Sequence, residues 1–245
     1  MKALIFDLDG TLWDSSECLY KIWNIVFEKR NIPLRVTHEY VSSLFGKTNR
    51  EIATIVFPNL PFEEAYSHIL AICDEEIVYL NEHGAKIYEG LEKTLKILQE
   101  NYDLYIVSNC QDGYIESFLK AHHMSSYFKD IECEGRTGKV KAENIQLLMQ
   151  RNNIKEAYYI GDTQGDQNAS KLASIPFIYA SYGFGEVNSY DYIIVMEERN
   201  RKDIIKIIGP DLDNKIHLLM EYTDNIKDIS DPWYTGDFNT AYKEI

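Results

Sequence analysis

Basic residues are scarce in this chain. Lys and Arg number 25 against 39 Asp and Glu, a formal net charge of −14. That deficit argues against nucleic acid and anionic membranes as partners, because phosphate backbones are bound through a surplus of Lys and Arg. A small phosphorylated ligand stays open, since it feels only its local site. Cysteine is scarce too. Cys18, Cys73, Cys110 and Cys133 lie scattered without metal-ligand spacing, which favours reduced thiols in a cytoplasmic protein. No apolar run reaches the length of a membrane span. The N-terminus lacks the basic, apolar, small-residue order of a signal peptide. What remains is 245 residues of ordinary globular composition, 45% hydrophobic, enough for one large domain or two small ones.

Into that composition the chain sets "FDLDGTLWDS", residues 6–15. Residues i and i+2 of a strand share a face, so Asp7 and Asp9 repel unless a cation or a shared proton intervenes. Residues 2–8 read as a buried strand. Helical periods follow, first in "SSECLYKIWNIVFEKRN", where Ser15 or Ser16 can cap the start. A second runs through "EEAYSHILAICDEEIVYLNEHG", stopped by Gly84. From Ala85 strands alternate with helices: "LEKTLKILQEN", "DLYIVSN", "GYIESFLKAHH", "YFKDIEC", "KAENIQLLMQRNN", "EAYYIGDT", "GDQNASKLAS", "PFIYASYG". That rhythm predicts an α/β fold, a parallel sheet with helices on both faces. Ligands of such sheets bind at the carboxyl ends of the strands.

The polar residues cluster at those ends. Asp7 and Asp9 end the first strand, Ser108 and Asn109 another, and Asp162 and Thr163 a third, with Asp166 four residues beyond Asp162. Lys139 and Lys141 stand just before a helix start. Several carboxylates with one or two lysines suit a hard cation with oxygen ligands, and Mg²⁺ is the natural choice. One carboxylate of the pair is then free to attack, and the other to serve as acid and base. Ser108 and a lysine would hold phosphoryl oxygens.

"DLDGTLWDS", "VSN", the lysine before "AENI" and "GDTQGD" together resemble the four ordered motifs of the haloacid dehalogenase-like hydrolase superfamily. The match runs from residue 1 to about 190, closest to members with a helical cap, such as phosphoglycolate phosphatases and beta-phosphoglucomutase. The resemblance implies a Rossmann-like three-layer core at 1–14 and 86–192 and a helical cap at 15–85, with a C-terminal extension at 193–245. It implies Asp7 as nucleophile and metal ligand, and Asp9 as acid/base with its backbone carbonyl on the metal. Asp162 and Asp166 would be further metal ligands. Thr11 and Ser108 would be the motif hydroxyls. Lys139 and Lys141 both fit the motif lysine, and Lys141 is preferred because it abuts the helix start. Dehalogenating members lack the second Asp, so Asp9 implies phosphoryl transfer. In the cap, Lys47 or Arg50 of "FGKTNRE" would reach the other end of the ester, and Asn109 the substrate or its loop.

The tail resembles something else. "DYIIVMEERN", "KIHLLMEY" and "DPWYTGDF" are similar to the C-terminal part of low-molecular-weight protein tyrosine phosphatases, whose general acid would be Asp231. Those enzymes need a cysteine with arginine six positions on. Positions 24, 79, 116 and 139 hold Asn, Tyr, Glu and Lys, so no thiol chemistry is expected from the tail. Its "EERNRKDIIKIIG" segment is expected to pack on the core as a helix. The expected function is a Mg²⁺-dependent phosphatase of small phosphorylated metabolites. The rivals are a beta-phosphoglucomutase-like mutase and a non-catalytic interaction protein working through residues 193–245. Neither the particular ester nor the oligomeric state is legible in the sequence.

Overall fold

The computed structural model describes residues 2–187, 191–195, 198, 201, 202, 205 and 215–218. In chain order they form β1 (Lys2–Phe6), β2 (Trp13–Asp14), α1 (Ser16–Lys29), α2 (His38–Ser42), α3 (Asn49–Val56) and α4 (Phe62–His83). Then come β3 (Lys86–Ile87), α5 (Leu91–Leu98), β4 (Tyr102–Ser108), α6 (Tyr114–Ala121), β5 (Phe128–Cys133) and α7 (Glu134–Thr137). The rest are α8 (Lys141–Arg151), β6 (Ala157–Gly161), α9 (Gln164–Ala173), β7 (Phe177–Ala180), β8 (Tyr192–Val195) and β9 (Ile216–Leu218).

Seven strands form one sheet in the order β5-β4-β1-β6-β7-β8-β9, and every pairing in it is parallel. Parallel strands bury both faces and so read as apolar runs. β1 shows why. Ala3 and Ile5 pack with Ile145 and Leu148 of α8 and Ala169 of α9. Leu4 and Phe6 pack with Ile115 and Phe118 of α6 and Leu95 of α5. This is the expected α/β layering, with β1 between β4 and β6, and it brings the ends of these three strands together.

Helices α1 to α4 enter between β2 and β3, which pair as a two-stranded antiparallel ribbon at the base of the insertion. Neither short strand is visible in the sequence pattern, since two residues carry no period. Trp13 of β2 is fully buried against Tyr114, Phe118 and His122. Ser15 occupies the N-cap of α1 but makes no side-chain cap bond. The Ser16 amide instead donates to Asp14 at 3.0 Å, which frees the Ser15 hydroxyl for Asp9.

Past β7 the sheet continues. β9 pairs with β8, and Ile193 and Ile216 form a small core with Ile205 against it. Of the segment 197–209, residues 198, 201, 202 and 205 are described, and they are helical. Asp231 and "DPWYTGDF" lie outside the described residues. No helix among the described residues is long and apolar enough to cross a membrane.

Candidate active site

Three carboxylates meet at the carboxyl edge of the sheet. Oxygens of Asp7, Asp162 and Asp166 all lie within 4.8 Å of one another, and all three residues are buried. Lys141, at the first turn of α8, reaches between them, donating to Asp7 Oδ1 at 2.9 Å and Asp166 Oδ1 at 2.5 Å. Burial opposes its charge, but the carboxylates of Asp166 and Asp7 outweigh burial and hold its ammonium above the usual range. The Lys139 side chain is exposed, two residues before the helix.

Each aspartate is held by a different device. The Asp7 backbone N–H donates to the Ile160 carbonyl at 2.8 Å, fixing the end of β1 against β6. Asp162 Oδ2 accepts from the Phe184 amide at 2.7 Å, and Thr11 Oγ1 lies 3.5 Å from Asp162 Oδ1. Asp166 does two jobs. Its Oδ2 accepts from Thr163 N–H and Oγ1 in a capping box at the start of α9, and its Oδ1 takes Lys141. A helix cap and an ion pair are thus built from one side chain. Burial and the neighbouring charge of Asp166 push both Asp7 and Asp162 above the usual carboxylate range. Three carboxylates against one ammonium leave a negative excess of hard oxygen donors, a set that fits Mg²⁺.

Asp9 stands apart. Its side chain is outside the three-carboxylate cluster, and its Oδ1 accepts from Ser15 Oγ at 2.5 Å and Tyr114 OH at 3.2 Å. Burial pushes it up to about 7, against the Ser15 bond. The two carboxyls expected to repel are therefore separated in role: one faces the lysine, the other a hydroxyl pair.

A cavity of about 60 Å³ opens between this edge and the inserted helices. Asp7, Asp9, Ser108, Asn109 and Lys47 line it. Thr11 does not; it is buried behind the cavity, its hydroxyl turned to Asp162 rather than outward to a ligand. Arg50 does not either. Its guanidinium lies over the rings of Phe62 and Tyr66, at 5.6 and 5.2 Å, a cation–π anchorage within the insertion. Asn49, its neighbour, lines the cavity instead. Asn109 pins the facing loop, donating to the Gly46 carbonyl at 2.9 Å.

Besides Tyr114, which meets Asp9, two features escape the sequence pattern. The first is the turn after β7, where Gly183 allows the chain to close on Asp162. A Cβ there would lie 2.3 Å from Asp162 Cβ. Gly183→Ala is expected to displace Asp162 and cost about 1–3 kcal/mol of stability, the usual penalty for overpacking. Chemical unfolding of the variant beside wild type measures it, and an unchanged midpoint would contradict the crowding argument.

The second is Glu76, a buried carboxyl of α4 lining the cavity. It accepts from Trp23 Nε1 at 2.7 Å and Gln111 Nε2 at 2.8 Å. A signal existed: Ile69, Ile72, Cys73, Glu76 and Leu80 form one buried stripe of the helix, and a glutamate on an apolar stripe needs a reason. Burial pushes Glu76 up to about 7, against those two bonds. Its folded value lies above the unfolded one, so the folded state holds the extra proton between roughly pH 4.5 and 7. Stability from this group is therefore lost as pH rises through that window. Glu76→Gln removes the titration. Its stability relative to wild type should rise by on the order of 3 kcal/mol from pH 5 to pH 8, at 1.36 kcal/mol per pKa unit. Unfolding curves at the two pH values decide it, and a pH-independent difference would count against a charge buried here.

The parallel sheet with its buried carboxylate–lysine cluster is an α/β architecture with a candidate catalytic site at its carboxyl edge. The chain belongs to the haloacid dehalogenase-like hydrolase family, whose model matches residues 4–180. Curated relatives include phosphoglycolate phosphatases. That of Aquifex aeolicus is 27% identical over 199 residues, spanning 77% of this chain and 89% of the relative. That of Nitrosospira multiformis is 23% identical, over 76% and 86% respectively. Among solved structures, a predicted phosphatase from Clostridium acetobutylicum superposes with a TM-score of 0.68 at 26% identity, covering 84% of this chain and 98% of that one. The expected class, a phosphatase within this hydrolase family, is borne out.

Proposed function

We propose that the chain is a Mg²⁺-dependent phosphatase that hydrolyses small phosphate monoesters through an aspartyl-phosphate on Asp7. The observation that carries this is the meeting of Asp7, Lys141 and two further buried carboxylates beneath a cavity closed by the inserted helices. Asp7, Asp162 and Asp166 would hold Mg²⁺, with the Asp9 backbone carbonyl beside them. When bound, the cation offsets the charge of the phosphoryl group and of the carboxylates around it.

The rest falls to side chains of the chain. An Asp7 carboxylate oxygen attacks phosphorus in line with the leaving oxygen. Ser108 and Lys141 hold the phosphoryl oxygens and balance charge that develops there. Asp9 gives its proton to the leaving alcohol. Both of its hydrogen bonds fall on Oδ1, so Oδ2 is the oxygen that carries the proton. A carboxyl poised near neutrality serves both as this acid and then as the base that activates water against the aspartyl-phosphate. The loop of Gly46, pinned by Asn109 and stacked on the core through Phe45 and Phe184 at 4.6 Å, keeps bulk water out. Lys47 also lines this cavity, with its side chain exposed.

The test is phosphate release from a panel of small monoesters, with Mg²⁺ and with chelator. Release that requires the cation is the expected result. Equal release in chelator, or none from a folded sample, would overturn the reading.

A further inference from the structure

Glu76 is a buried acid in the substrate cavity that the mechanism does not use. Its side chain sits among Leu19, Trp23, Ile69 and Ile72, all cavity walls. Its two hydrogen bonds come from neutral donors, Trp23 and Gln111. No cation among the described residues pairs with it. Lys47 is the one basic side chain among the described residues that line the cavity, and it is exposed. Lys141 is held in its ion pairs with Asp7 and Asp166.

Resting on the phosphatase reading, we propose that Glu76 selects the leaving group. The substrate is a short phosphate ester whose far end is uncharged or cationic and carries hydrogen-bond donors, and esters ending in a carboxylate are rejected. Above about pH 7, where Glu76 is ionised, a substrate carboxylate would share the cavity with its negative charge, and like charges at short range in a poorly solvated site are strongly unfavourable. A hydroxyl or ammonium meets the opposite situation. A carboxylate offers about four lone-pair positions; Trp23 and Gln111 fill two, and the others remain for donors on the substrate. The aliphatic walls take the carbons.

Glu76 also ties α1 and α4 to the loop after β4, through Trp23 and Gln111. That bridging role would affect stability but not the ranking of substrates, so the ranking is the decisive readout. With Mg²⁺ present at pH 8, kcat/KM is measured for glycerol 3-phosphate and phosphoethanolamine against phosphoglycolate and 3-phosphoglycerate, with p-nitrophenyl phosphate as a general phosphatase substrate. In wild type the non-carboxylated pair should exceed the carboxylated pair by about tenfold or more. Glu76→Gln should narrow that ratio by a similar factor, mainly through KM, because the discriminated group is remote from phosphorus. The wild-type ranking stands as a test even where the variant folds poorly. Preference of wild type for phosphoglycolate overturns the inference and leaves the phosphatase reading intact. So does a Glu76→Gln change that scales both pairs alike. Silence on every ester, p-nitrophenyl phosphate included, overturns the phosphatase reading and the inference with it.

Discussion

Asp7→Asn is expected to abolish phosphate release while leaving the protein folded and at least as stable at pH 7. The amide keeps the size of the side chain and its place at the end of β1, but it is no nucleophile. A variant that loses the attacking atom keeps only what binding and electrostatics supply, so the rate should fall on the order of 10⁴-fold or more. The stability expectation has a separate cause. Burial and the charge of Asp166 hold the Asp7 carboxyl above the usual range, so its ionised form is disfavoured in the folded state. The sign follows from linkage: a raised carboxyl loses stability as pH rises past its unfolded value, and the amide does not titrate. Lys141 keeps its second partner, Asp166. Phosphate release and thermal unfolding on one preparation check both halves. Residual activity within tenfold of wild type would remove Asp7 from the role of nucleophile.

Lys141→Met should be the most damaging change to the fold of the site. The side chains of Lys141, Asp7 and Asp166 are 4%, 3% and 0% exposed, so deleting the ammonium strands two carboxylates away from water. Breaking a buried ion pair from one side typically costs about 3–5 kcal/mol. Methionine fills the aliphatic volume of lysine, so the loss reports charge rather than a void. Unfolding in chelator should show the full cost, and Mg²⁺ should recover part of it by binding the folded state. Turnover should drop by about 10²–10³-fold, the usual effect of removing one group that balances transition-state charge. A variant as stable as wild type in chelator would mean that the ion pair contributes nothing net.

Much of this was legible before the structure. The apolar runs ending in Asp7, Ser108 and Asp162 are parallel strands, because a strand buried on both faces has no polar alternation to hide its ends. Lys141 reaches the carboxylates where Lys139 does not, since the first turn of α8 points back at the sheet edge and the residue two earlier lies in the exposed approach. Arg50 was less legible. A basic residue near a Gly turn says nothing of direction, and here two aromatic rings of α4 captured it. Thr11 faces Asp162 because Gly10 turns the chain with φ +84°, which the residue letters permit but do not dictate. Ser15 looked like a helix cap and became a partner of Asp9, since Asp14 had taken the first amide of α1. Tyr114 and the turn at Gly183 reach the site only through tertiary packing, and no local pattern announces them. Glu76 could have been found by asking why its stripe was not wholly apolar. Of the tail, the short strand at Ile216–Leu218 is described and extends the sheet.

The central claim is that phosphoryl transfer passes through Asp7, and one measurement addresses it directly. Asp9→Asn lacks the base for the second step, and an ester with a leaving group that needs no proton still allows the first. Acid quenching of Asp9→Asn with such an ester, labelled in the phosphoryl group, followed by peptide mapping, should find the label on Asp7. Label on another residue, or wild-type turnover by this variant with no labelled enzyme at any time, would contradict the account.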